Sequence, residues 1–405
     1  MLGVLEDNAN AKSLFSKIEE AQKLLAGESV TILKDVVATR RVKIGRRQYR
    51  DVPVMGIVGR EVALAVLKPD GDLKMIRAIK RDKGMEVLTP GVSLFVRRDN
   101  GINSDIACIE PQGGKVILMK YPVTNENNRF GGGSEIIEAT YTPYAAEIKN
   151  DEVIRHGIKL MDKLIDNAYD RLKMRRVSSR VYPDKLVTEV IPRSILKVLL
   201  LNEHIDPSLF KSQSQAKSLV EMVLTIVATN GEKAYAYSIS RAGARGLVQM
   251  IPSTYALLQN KYVQAGLREN FSIGMVDTVN AIMAQVLLCD SDWQAIAEHR
   301  HIDKDKIGAY LAAAYNGGVG RVLTIVNREQ AEWLEEPESN PRPTITVQRK
   351  APVRVAVGRG RRKRMRTVMV TKNFTHTVFK SETANYVKQY HWIEEAFEAL
   401  EKNAD

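Results

Sequence analysis

The chain is poor in the residues that build metal centres and disulfide scaffolds. It carries two cysteines and six histidines in 405 residues. No Cys/His group has zinc-ligand spacing, so no metal and no other cofactor is expected. Cys108 and Cys289 lie within apolar or strand-like runs, the setting of buried free thiols rather than of a disulfide. No apolar run is long enough to span a membrane, which excludes a transmembrane helix as an expectation. The first residues, MLGVLEDNANAK, also lack the basic start and apolar core of a secretory leader.

Charge is plentiful but uneven. The net charge is +12, and the stretch from Pro341 to Lys372 holds 11 Lys/Arg with no Asp or Glu. The remainder of the chain is therefore close to neutral, and the basicity needs a local explanation. An anionic polymer is one such partner, and a solvated hairpin is the equal alternative. The same stretch contains no aromatic residue. Base stacking has nothing to work with there, which argues against nucleic acid.

The texture of the sequence changes along its length. Residues 10–26 read as a short amphipathic helix. From 30 to 121, short strands alternate with turn signals such as Pro69-Asp-Gly-Asp72, Asp99-Asn-Gly101 and Gln112-Gly-Gly114. Strands are expected over 52–58, 62–67, 74–80, 93–97, 105–110 and 115–121, forming a small β-barrel or sandwich. Arg40, Arg41, Lys43, Arg46, Arg47 and Arg50 give it a basic edge, read as charge that protects an edge strand.

A polar segment, 125–134, ends in three glycines and reads as a linker. Helical periodicity follows. Ile154, Ile158, Met161, Ile165 and Leu172 share one face at 3.6-residue spacing. The run 195–201 is almost wholly apolar, which predicts a central helix. Further helices are expected over 213–229, 242–258 and 278–288, with another opening at 309–314. Residues 344–370 alternate apolar and basic residues as a β-hairpin does, and a last helix covers about 382–402. The fold class is thus α+β and multidomain: a β-rich region followed by a mainly helical one.

Two segments carry chemistry. The run SRAGARGLVQMIPSTY, Ser240 to Tyr255, places small residues where backbone must approach backbone or a ligand. Gln249 within it offers an amide to a sugar hydroxyl or N-acetyl group. The second segment is AAAYNGG, Ala312 to Gly318. Read from residue types alone, the first is a Gly-rich turn entering a packed helix.

The pattern S-x-x-G-A-x-G-L-x-Q-x-x-P-x-T resembles the signature of the soluble lytic transglycosylases, which have a goose-lysozyme-like fold. Val248 stands where that family commonly has Met. AAAYNGG is similar to the family's A-Y-N-x-G segment, which implies that Tyr315 and Asn316 lie in the sugar cleft. SETANYV, Ser381 to Val387, resembles its closing E-T-x-x-Y-V segment, with Tyr386 as the aromatic. The three matches fall in the family's order across about 150 residues of the chain.

The resemblance implies a lysozyme-like domain over 135–402 with a basic insertion at about 325–380. It is preceded by a helix over 1–29, a β-rich domain over 30–124 and a linker over 125–134. It also implies cleavage of peptidoglycan glycan strands between N-acetylmuramic acid and N-acetylglucosamine by a single Glu. That Glu is acid and then base, and the sugar's C6 hydroxyl attacks to give a 1,6-anhydro product. Such a role requires an extracytoplasmic location. Arg359 to Arg366 would hold an anionic wall polymer. A catalytically inactive lysozyme-like wall-binding or envelope or phage assembly protein is the alternative.

Protonating a leaving oxygen near neutral pH needs a carboxyl group whose pKa is raised by apolar surroundings. Two glutamates compete. Glu203 ends the apolar helix of IPRSILKVLLLNEHIDPS, which resembles the family's first helix on both flanks. His204 replaces the usual Ser there, and 36 residues separate Glu203 from Ser240, so 213–229 would be an inserted helix. Glu232 follows the helix ending LTIVATNG and lies closer to Ser240, but it lacks those flanks. Glu203 is favoured and Glu232 is retained. Ser240, Gln249, Tyr315, Asn316 and Tyr386 are the expected substrate-binding residues. Tyr235 and Tyr237 are open between cleft lining and loop packing.

Overall fold

The computed structural model describes residues 2–124, 136–240, 242–299, 302–328, 330–357 and 364–403. Side chains are described from residue 14 onward, except those of 355–357 and 364–365 in the strands that flank the hairpin tip. The predicted linker 125–134 and the tip of the basic run, 359–363, lie outside the described residues.

The chain opens with α1 (Leu2–Leu25) and continues through eight strands. These are β1 (Ile32–Lys43), β2 (Tyr49–Leu67), β3 (Leu73–Lys80), β4 (Met85–Val87), β5 (Ser93–Arg98), β6 (Asp105–Glu110), β7 (Lys115–Thr124) and β8 (Ile136–Tyr141). The helices α2 (Asp151–Met174), α3 (Val187–Val190), α4 (Arg193–His204), α5 (Ala216–Asn230), α6 (Pro252–Lys261) and α7 (Phe271–Val276) follow. Then come α8 (Thr278–Ile296), α9 (Ile307–Gly317), α10 (Val319–Val326) and α11 (Glu332–Glu335). The hairpin strands β9 (Thr344–Val357) and β10 (Arg364–Thr377) precede the closing helix α12 (Ser381–Lys402). The molecule is mixed α+β, with an N-terminal sheet region followed by helices.

The main sheet is antiparallel in the order β4-β3-β2-β7-β8, with β1 paired to β2, and β5 pairs with β6 separately. Two features differ from the sequence pattern. The segments 52–58 and 62–67 are one long strand, β2, which continues through Gly59-Arg60-Glu61 because Gly59 and Arg60 stay paired with Leu33 and Ile32 of β1. Beyond the glycine-rich segment, β8 returns to pair with β7 before the helices begin. The basic edge is the outer half of the β1–β2 ribbon. There both strands lose their buried face and stand exposed from about residue 35 to 55.

The pleat sends alternate residues to opposite faces, and both faces of the sheet are covered. Ala63, Ala65 and Leu118 pack with Leu14, Ile18, Ala21 and Leu25 of α1. Leu64, Val66, Ile76 and Met119 join the core of the helical body. The β region and the helices therefore share one apolar interior.

In α2, the residues Ile154, Ile158, Met161, Ile165 and Leu172 are buried, as their spacing predicts. The Asn150 side chain caps this helix by accepting the Val153 N–H. Gly157 lets α2 cross α5 closely, since a Cβ there would sit 2.4 Å from the Leu224 carbonyl oxygen. The apolar run of α4 is buried from Val198 to Asn202. The longer α8 runs through the centre, with Gln285 and Asp290 fully enclosed.

The helix expected over 242–258 is not one element. Residues 240–251 form a tight loop held by isolated bridges from Arg245 to Ile239 and Met250, and α6 starts only at Pro252. Gly243, Gly246 and Gln249 all have positive φ, which no right-handed helix accommodates. The apolar spacing of Leu247, Val248 and Met250 serves the packing of this loop instead.

Candidate active site

A cleft of about 760 Å³ opens where the sheet region meets the helical body. That is within the usual range of ligand pockets. Glu203, His204, Tyr235, Tyr237, Ser240 and Gln249 line its helical side. Arg60, Arg98, Asn100, Asn103 and Tyr121 line the other.

Glu203 reaches this cleft because α4 ends there: the helix is buried at Ile195, Leu196 and from Val198 to Asn202, and delivers its last turn to the edge of the core. Its carboxylate Oε1 accepts a hydrogen bond of 2.6 Å from the Tyr386 hydroxyl of α12. Asn202 fixes the same helix by donating to the Tyr386 carbonyl at 3.1 Å. Burial pushes the Glu203 carboxyl up to about 7, and the Tyr386 hydrogen bond offsets part of that rise. A group with that pKa is divided between acid and base forms near neutral pH.

The neighbouring His204 is stacked on Tyr235, with ring centroids 3.7 Å apart. Its Nε2 lies 2.7 Å from the Leu247 carbonyl. Burial lowers its pKa to about 4. The ring is then neutral at pH 7, with Nε2–H donating to Leu247. His204 thus ties the end of α4 to the loop 240–251 and puts no positive charge beside Glu203. Two other carboxylates in the cleft wall are engaged. Asp99 pairs with Lys80 at 2.5 Å, and Asp206 accepts the Ser208 N–H at 2.9 Å.

The Gly-rich loop forms the floor around Ser240 and Gln249. Ser240 Oγ accepts the Ala244 N–H at 3.0 Å, and Gln249 Nε2 donates to the Gly246 carbonyl at 2.8 Å. A Cβ on Gly246 would lie 2.3 Å from the Met275 carbonyl oxygen, so only glycine lets the loop pass there. Tyr235 and Gln249 both hold positive φ at this site. Such strained positions persist where surrounding structure over-determines them.

Tyr315 stands behind this floor rather than in the cleft wall. Its hydroxyl donates to the Val248 carbonyl at 2.5 Å. Burial, reinforced by the Glu203 charge, holds its phenol far above the usual range. Tyr386 is likewise buried and reaches the site through Glu203. Asn316 differs from expectation: it is exposed on α9 and not part of the cleft wall. The helical turn that buries Tyr315 points the next residue outward.

Glu232 lies elsewhere. It is exposed in the short turn after α5, in a separate depression with Gln22, Thr140 and Lys233. It shares no wall with Ser240 or Gln249. Of the two candidates, the structure brings only Glu203 together with the Gly-rich loop and Tyr386.

The contribution of the sheet region was not foreseen from the sequence. Asn103 Nδ2 donates to Ser238 Oγ at 2.9 Å, joining the two walls. Its Oδ1, like Arg60 Nε, is buried without a hydrogen-bond partner among the described residues. The one local signal was the Asp99-Asn-Gly101 turn, which as a turn says nothing of what it faces. Among the described residues there is no cluster of His, Cys, Asp or Glu able to hold a metal ion. Comparison of the chain with family models, characterised proteins and solved structures returned no match.

Proposed function

We propose that this protein is a peptidoglycan lytic transglycosylase with Glu203 as its single acid and base. The observation that carries this reading is convergence. Glu203, Ser240 with Gln249, Tyr315 and Tyr386 come from four segments spread over about 180 residues, and they meet around one raised carboxyl group.

The chemistry follows from that group. Protonated Glu203 gives its proton to the glycosidic oxygen as the bond from N-acetylmuramic acid to N-acetylglucosamine breaks. The resulting carboxylate takes the proton of the muramic C6 hydroxyl, whose oxygen closes onto C1 as a 1,6-anhydro ring. The proton count balances, and Glu203 is restored to its acid form. One carboxyl group suffices because the nucleophile belongs to the substrate, unlike glycosidases that need a second carboxylate for water or for a covalent intermediate. The Tyr386 hydroxyl steadies the carboxylate between the two proton transfers. Gln249, Asn103 and Arg98 offer polar groups to sugar hydroxyls and N-acetyl groups from both walls. Such a substrate places the working protein outside the cytoplasmic membrane.

The test is to incubate the protein with purified peptidoglycan and analyse the products by mass spectrometry. Anhydro-muropeptides from the wild type, absent with Glu203→Gln and retained with Glu232→Gln, are expected. Glycan binding without any anhydro product would replace this reading with a non-catalytic wall-binding or assembly role.

A further inference from the structure

The β9–β10 hairpin stands outside the core: none of its described residues between 344 and 377 is buried. Its strands are 14 residues each, a length of about 46 Å at the usual rise per residue. The register assigns its faces. One carries Thr344, Thr377, Thr346, Thr375, Gln348 and Asn373, with Thr346 and Thr375 hydrogen-bonded across the strands at 2.8 Å. The opposite face carries Val347 beside Phe374, Ala351 beside Val370, and Val353 beside Val368. Phe374 and Val368 are 40% and 37% exposed.

Cations stand on both faces: Arg349, Lys372 and Arg366 lie on the apolar one, Lys350 and Arg354 on the threonine-bearing one, where Met369 is also exposed. Arg349 pairs with Lys372 between two apolar layers, and Arg366 follows Val368 toward the tip. The surrounding stretch has 11 Lys/Arg and no acid. A hydrated polyanion is matched by charge alone and gains nothing from a valine and phenylalanine strip. A surface with anionic headgroups over an apolar layer is matched by both. Long basic side chains lay their stems along the apolar layer and lift their charges to the phosphates. The apolar band between Lys372 and Arg366 is too short to cross a bilayer core of about 30 Å, so the element lies along the surface.

We infer that the β9–β10 hairpin binds the surface of anionic lipid bilayers through its valine- and phenylalanine-bearing face. This is independent of the reading given for the cleft, because none of the hairpin's described residues lines the cleft wall.

The experiment is co-sedimentation of the full chain with vesicles of phosphatidylglycerol and phosphatidylcholine, beside vesicles of phosphatidylcholine alone. Binding to the anionic vesicles only is expected. Val353→Asp/Val368→Asp should weaken it at least about tenfold, whereas Thr346→Asp/Thr371→Asp, the same charge on the opposite face, should weaken it no more than about threefold. Unchanged thermal unfolding of both variants checks that the body is intact. Equal losses in the two variants would overturn the inference and leave attraction by charge alone, as for a wall polymer or nucleic acid. Failure of the wild type to sediment with anionic vesicles, or equal binding to neutral ones, would overturn it as well.

Discussion

The ends of α4 and α5 invite comparison. Both helices are apolar, both are buried, and each hands the chain to a glutamate at its C-terminal end. Glu203 meets Tyr386 from α12, the loop 240–251 and the sheet region, and burial raises its pKa to about 7. Glu232 meets solvent. The difference lies wholly in what the rest of the chain brings to each helix end. An apolar helix supplies only half of a raised carboxyl; segments far away in sequence must close the other half.

The sharpest way to break the comparison is kinetic. Glu203→Gln should lower the rate of anhydro-product formation by roughly 100- to 10,000-fold, the range for loss of a positioned general acid. Glu232→Gln should leave it within about twofold, and a large loss there would reverse the assignment. The enclosing wall comes next. Gly246→Ala places a Cβ against the Met275 carbonyl and forces an unfavourable φ, so denaturant unfolding should show a loss of roughly 2–4 kcal/mol.

A third test uses pH and stability. Because the folded-state pKa of Glu203 is raised, its contribution to stability is fully present below about pH 4.5 and lost as pH rises through about 7. Glu203→Gln should therefore match the wild type at low pH and exceed it above pH 7 by on the order of 1–3 kcal/mol. A parallel pair of stability curves would mean that Glu203 is solvated. The smallest effect concerns Tyr386→Phe. Removing its hydrogen bond takes away a contact that favours the charged form, so the alkaline limb of the pH–rate profile should move upward. The rate at pH 7 should fall by about three- to tenfold. An unmoved limb would mean that the hydrogen bond does not form in solution.

Much of the helical scaffold was legible because its signals are local. The burial of α2 follows from residue spacing, and the β9–β10 hairpin follows from alternation. The Gly-rich loop was misread because apolar spacing at Leu247, Val248 and Met250 imitates a helix. Positive φ at Gly243, Gly246 and Gln249 cannot be read from that spacing. Asn316 was placed in the cleft with Tyr315 by the resemblance of AAAYNGG to the A-Y-N-x-G segment, yet on a helix adjacent residues face different ways. Arg60, Asn103 and Tyr121 were missed because nothing in a strand or turn states which element it will face.

The sequence by itself determined the order of the elements and the small residues that let the loop 240–251 turn. It also determined the glutamates available as acids, since each of these depends on neighbours within a few positions. Tertiary structure decided which glutamate becomes a weak acid in a cleft. Desolvation and the Tyr386 hydrogen bond come from contacts across 183 residues of chain, and a carboxyl group's pKa answers to the space around it, not to its neighbours in sequence.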